Sequence, residues 1–219
     1  MTAAPDHRVQ SEAPQFRLRA PPVNACTPAA MVIAASGGAA GALPAFLAPI
    51  ARRIDAPIVV ALQLSATLIP ALAEKVQQAV GKRCREAEEG DTLAPGALLL
   101  SPGDSQIRIA RCPAGRMVHI DRGELLSLTR PVADPLFESA AAAFGPRLLC
   151  VVLTGAGHDG RAGAAKVVEA GGRVIVQDEA SSVAWGMPGA VAQAGYAEAV
   201  KPLKDLSQLA LRMMMGEAA

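Results

Sequence analysis

Residues 147–163 read RLLCVVLTGAGHDGRAG, and this stretch limits the possible folds more than any other. An apolar run, Leu148–Leu153, has no polar face and is too short for a buried helix. Such a run suits a strand covered on both sides, as in a parallel sheet under helices. A glycine-rich turn follows it, and then a helical pattern over 159–172. Two further runs behave alike. AMVIAAS (30–36) leads through Gly37-Gly38 into a helical pattern with Leu43, Phe46, Leu47 and Ile50 on one face. PIVVALQL (57–64) leads into a loop and helix over 65–83. Strands alternating with helices predict a doubly wound, mostly parallel α/β/α sheet.

One segment breaks the alternation. SQIRIARC and RMVHID, joined by PAG, predict an antiparallel hairpin inserted between the strand in ALLLSPG and the helix over 134–145, where Asp134-Pro135 supply a cap and first turn. RVIVQDEA (173–180) predicts another strand and LKDLSQLALRMMM (203–215) a last amphipathic helix. Residues 1–29, rich in Pro and Ala, predict a flexible tail before a single domain over 30–216.

Composition removes several function classes. Lys+Arg is 21 against Asp+Glu 20, and aromatics are 3% of 219 residues, so neither a basic stripe nor a stacking surface for nucleic acid is expected. No apolar run approaches the roughly 20 residues that span a bilayer, and a cytoplasmic location is expected. Cys26, Cys84, Cys112 and Cys150 form no CxxC pair and no zinc-type cluster with histidine. No metal or cofactor is implied.

Chemistry in such a sheet belongs at the carboxyl ends of its strands. Three features fall there. Ser36 ends a strand before Gly37-Gly38, where helix N–H groups can stabilise an oxyanion; the alternative is a helix cap. Asp159 stands in the late turn, as a second member of a Ser…His…Asp set or as the cap of its own helix. Gly155, Gly157 and Gly160 match GxGxxG, with Asp178 at the distance of a ribose-binding carboxylate, although Asp159 would repel a pyrophosphate there. A serine nucleophile needs a base within reach. His7 lies in the tail, His119 in the hairpin facing solvent, and His158 beside Asp159, a possible surrogate base.

Six segments in order, VIAASGGAAGALPAFLAPI, PIVVALQL, EGDTLAPGALLLSPGD, TRPVADPLFESAA, VVLTGAGHDGRAG and VIVQDEASSVAWGMP, resemble the catalytic domain of chemotaxis protein-glutamate methylesterases of the CheB type. The resemblance covers about residues 30–213. It implies a doubly wound α/β/α fold and hydrolysis of glutamyl methyl esters on the cytoplasmic helices of chemoreceptors, or binding of another chemosensory protein if catalysis is lost. It places Ser36 at the nucleophile and Asp159 at the aspartate that orients the catalytic histidine. Gly37, Gly38, Ala156, Gly157, Trp185 and Met187 fall at the site rim. The chain departs from the family pattern where the histidine belongs: QLSA puts Leu64 there when anchored on the strand, or Gln63 when anchored on the helix. Ala156 replaces a methionine, SGGA replaces STGG, and the PGDSQ and TRPVAD segments also differ. No receiver-type segment stands ahead of residue 30. The implied alternative to an esterase is a catalytically degenerate binding module.

Overall fold

A computed structural model describes residues 16–23, 25–113, 115–122 and 132–217. In chain order the elements are β1 (Ala30–Ala35), α1 (Ala39–Leu47), β2 (Ile58–Leu62), α2 (Ile69–Val80), β3 (Arg85–Glu86), β4 (Leu98–Leu100), β5 (Gln106–Cys112), β6 (Gly115–Asp121), α3 (Ala133–Phe144), β7 (Leu148–Val152), α4 (Arg161–Glu169), β8 (Arg173–Gln177), α5 (Gly186–Gln193), β9 (Ala199–Lys201) and α6 (Leu203–Met214). Seven strands form one sheet in the order β3-β4-β2-β1-β7-β8-β9, and every pairing in it is parallel. The hairpin β5–β6 stands apart. The architecture is the one the alternating pattern predicts.

The two faces of β1 show why its run is wholly apolar. Met31, Ile33 and Ala35 pack with α1, α2 and α6, while Ala30, Val32 and Ala34 pack with α3, α4, α5 and the hairpin. Each face excludes water, so alternation is lost. Cys84 and Cys150 are buried in these two cores. Burial pushes the Cys84 thiol up to about 12 and the Cys150 thiol well above its ordinary value, so both stay protonated. No disulfide forms among the described residues, and no described helix is long and apolar enough to cross a membrane.

The tail expected over 1–29 is anchored from Phe16 onward. The Arg19 amide donates to the Ala197 carbonyl, and its guanidinium meets Glu198 at 3.3 Å. The Ala29 amide donates to Arg147. Phe16 tilts against Trp185 with ring centroids 5.9 Å apart.

Two capping expectations need correction. Asp159 does not cap its own helix, and Asp134 does not cap α3. The two carboxylates are exchanged. Asp159 accepts from the amides of Val132 (2.8 Å), Ala133 (2.9 Å) and Asp134 (3.1 Å), at the start of α3. Asp134, within the first turn of α3, accepts from the Gly163 amide of α4 at 2.6 Å. Each helix thus has its orphan amides satisfied by a side chain some 25 residues away. Gly163 lets the helices meet. A Cβ there would stand 2.6 Å from the Phe137 Cβ.

Candidate active site

The carboxyl ends of β1, β2 and β7 bring three turns together. Ser36 leaves β1 with its amide donating to the Thr154 carbonyl at 3.0 Å. Its hydroxyl donates to the Gln63 main-chain carbonyl at 3.2 Å. Gly38 follows at φ 91°, where any side chain would also run into Val183 and Thr154. The described hydrogen bonds give the amides of Gly37 and Gly38 no acceptor. They lie beside the Ser36 hydroxyl at the amino end of α1, where the helix dipole favours negative charge.

Thr154 ties the turns to each other. Its hydroxyl donates toward the Gly37 carbonyl (2.8 Å) and accepts from the Ala184 amide (3.0 Å). Its own amide donates to the Gln177 side-chain carbonyl at 2.9 Å. The Trp185 indole N–H donates to the Gln177 main-chain carbonyl at 2.9 Å. Met187 is buried, and its amide donates to the Gly155 carbonyl. A Cβ on Gly155 would overlap the Met187 sulfur and press on Ser36. Small residues in LTGAG therefore let the late turn close on the serine. Ala156 and Gly157 are exposed at the rim, and Gly157 has φ 81°.

After β2 comes the turn that carries Gln63 and Leu64. The strand ends at Leu62, so Gln63 and Leu64 lie in the turn, not in the strand. The Gln63 amide donates to the Ala35 carbonyl. Leu64 is half-buried and packs against the core that α1, α2 and α6 share. Gly103 backs this turn so closely that a Cβ would overlap the Ala66 backbone.

Of the remaining candidates, Asp159 is buried and committed to the start of α3, as described above. His158, next to it, is exposed, and the described hydrogen bonds join it to neither Ser36 nor Asp159. His119 faces solvent as expected, 3.1 Å from Glu89. His7 and Thr129–Pro131 lie outside the described residues. No group of three or more metal-binding side chains exists among the described residues.

The dinucleotide reading fails on the same geometry. The amino end of α4, where a pyrophosphate would sit, receives the Asp134 carboxylate instead. Asp178 accepts from the Ser181 amide and hydroxyl and closes a local turn. Sequence reasoning missed Thr154 and Gln177, since their partners lie far along the chain. It also missed the exchange between Asp134 and Asp159.

The fold and the Ser36 turn define a doubly wound α/β protein with a serine at the carboxyl edge of its sheet. Comparison sharpens this. The family model for CheB methylesterase matches residues 31–210, and the chain belongs to that family. It is 44% identical over 178 residues to a protein-glutamate methylesterase/protein-glutamine glutaminase of Caulobacter vibrioides, covering 81% of this chain and 51% of that protein. A relative of the same description in Nitrobacter hamburgensis is 38% identical over 197 residues, covering 90% of this chain and 52% of the relative. The crystal structure of the Thermotoga maritima CheB methylesterase catalytic domain superposes with a TM-score of 0.78 at 29% identity, covering 84% of this chain and 100% of that one. The chain spans about half the length of the curated relatives it matches.

Proposed function

We propose that this chain is a chemosensory methylesterase-type domain that receives glutamyl methyl ester side chains of chemoreceptor cytoplasmic helices at Ser36. On this reading it works in the cytoplasm and turns the ester over far more slowly than a complete triad would. Ser36 is the nucleophile, and the Gly37 and Gly38 amides face the developing oxyanion. Asp159 is the carboxylate that would orient a histidine, and Leu64 or Gln63 takes the place of that histidine. Trp185, Ala156 and Gly157 shape the rim, while Met187, expected there, is buried beneath it.

One observation supports slow turnover. The Ser36 hydroxyl donates its proton to the Gln63 main-chain carbonyl, which cannot take it, and the Leu64 side chain that follows packs into the core. A general base is worth about 10²–10⁴-fold. That same observation favours the second reading, a binding module that holds the receptor ester without cleaving it. Both readings require recognition of the ester. The test is titration of the protein with a receptor signalling fragment in its methylated and demethylated forms. Tighter binding of the methylated form, weakened by a bulky Gly37→Val change, supports the proposal. Equal affinity for both forms overturns it.

A further inference from the structure

The opposite edge of the same sheet carries a concavity that involves none of the serine site's residues. Beneath the amino ends of β1, β2, β4 and β7 lies a cleft of about 800 Å³. That volume is within the range of small-molecule sites, roughly 300–1,000 Å³. Its walls come from the turns that enter those strands, from the hairpin end and from the end of α6. Phe144, Pro57 and Met215 give it an apolar lining, and Arg53, Arg116 and Arg147 give it charge.

The three arginines are not placed alike. Arg116 is fixed: its Nε donates to the Ala143 carbonyl at 2.9 Å, and its guanidinium lies 4.2 Å from the Phe144 ring centre. Arg53 and Arg147 each end a short 3₁₀ turn, and both are exposed. Neither has an ion-pair partner among the described residues, whereas Arg85, Arg108 and Arg173 each pair with a carboxylate. Asp55 is the one carboxylate among the described lining residues, and it already interacts with Lys82. Two unpaired guanidinium groups and one stacked on a ring, around an apolar floor, leave a local excess of positive charge. Guanidinium groups match the oxygens of a phosphate in bidentate fashion.

We propose that this amino-edge cleft binds a small phosphate ester with a flat apolar body, its phosphate on Arg53 and Arg147 and its body stacked on the Arg116 guanidinium that covers Phe144. The proposal is independent of the Ser36 reading, since it involves none of that site's residues.

The test is an NMR titration of the protein with phenyl phosphate, with inorganic phosphate, benzyl alcohol and a hexaglutamate peptide as separate arms. The expected result is saturable binding of phenyl phosphate that shifts the amides of Gly115, Arg116 and Phe144 and leaves those of Gly37 and Gly155 in place. Inorganic phosphate and benzyl alcohol should each bind at least about tenfold more weakly, because each offers only half of the contacts. The double change Arg53→Gln with Arg147→Gln should weaken phenyl phosphate by about tenfold or more. It should leave the protein's spectrum folded, as neither side chain holds a partner. Absence of saturation, an affinity untouched by the double change, or shifts centred on Gly37 would overturn the proposal. Tighter binding of hexaglutamate at the same amides would also overturn it, making the cleft a dock for an acidic chain.

Discussion

Two limbs of the Ser36 site invite comparison, the Asp159 turn after β7 and the Gln63-Leu64 turn after β2. On the proposed function a triad would draw on both, and only the first carries a triad-type residue. The Asp159 carboxylate is held by three amides at the start of α3. Position 64 carries a leucine that packs into the neighbouring core. The contrast teaches that the presence of the aspartate says little about catalysis. Asp159 caps the start of α3, whether or not it has a histidine to orient. Position 64 has no such duty and is therefore the informative one.

The largest effect should come from removing Asp159. Asp159→Ala leaves three first-turn amides of α3 without their acceptor and is expected to cost about 3 kcal/mol. Asp159→Asn keeps one acceptor oxygen and should cost about half of that. Urea unfolding followed by circular dichroism checks both. A loss under about 0.5 kcal/mol for Asp159→Ala would break the comparison, since the aspartate would then lack its structural duty.

On the other limb, Gly103→Ala forces a methyl group into the backbone at Ala66. Overpacking of this kind costs about 2 kcal/mol. The amides of Leu64–Thr67 should shift while those of α3 stay in place, which a heteronuclear NMR spectrum reads directly.

A smaller effect separates the exchanged carboxylates by pH. Burial, more than any other cause, raises the Asp134 carboxyl above its ordinary 3.8, with the Asp159 charge adding to the rise. The folded protein therefore holds this proton more tightly than the unfolded chain does. Asp134 favours folding increasingly as pH falls from its raised native value toward 3.8, the reverse of an ordinary paired carboxylate. Asp134→Asn should remove that slope from a plot of unfolding free energy against pH. An unchanged slope would assign the titration to another group.

Much of this was legible in the sequence, for reasons the comparison makes plain. β1, β2 and β7 announce themselves because strands buried on both faces need uninterrupted apolar residues. The hairpin shows through its alternation around PAG. Ser36 and its glycines are a local signal, since a strand-to-helix turn needs Gly38 in a left-handed conformation. Elements without local signal were lost. α5 carries GMPG in its first turn and reads as a loop. β3 and β9 have two and three residues and make no pattern. The Asp-Pro of α3 looks like a cap, and only the long-range approach of α4 reveals that the cap comes from Asp159. The Gln63-Leu64 turn stood out only through the family resemblance, because neither residue violates a rule of packing.

The most direct measurement is the release of methanol from a methylated receptor signalling fragment by the intact protein and by the Leu64→His variant, each with and without Ser36→Ala. Slow release by the intact protein is expected, with a rise of about 10²-fold or more for Leu64→His and loss of that gain when Ser36 is changed. Release by the intact protein at a rate that Leu64→His does not improve, or a folded Leu64→His variant that gains nothing, would contradict it.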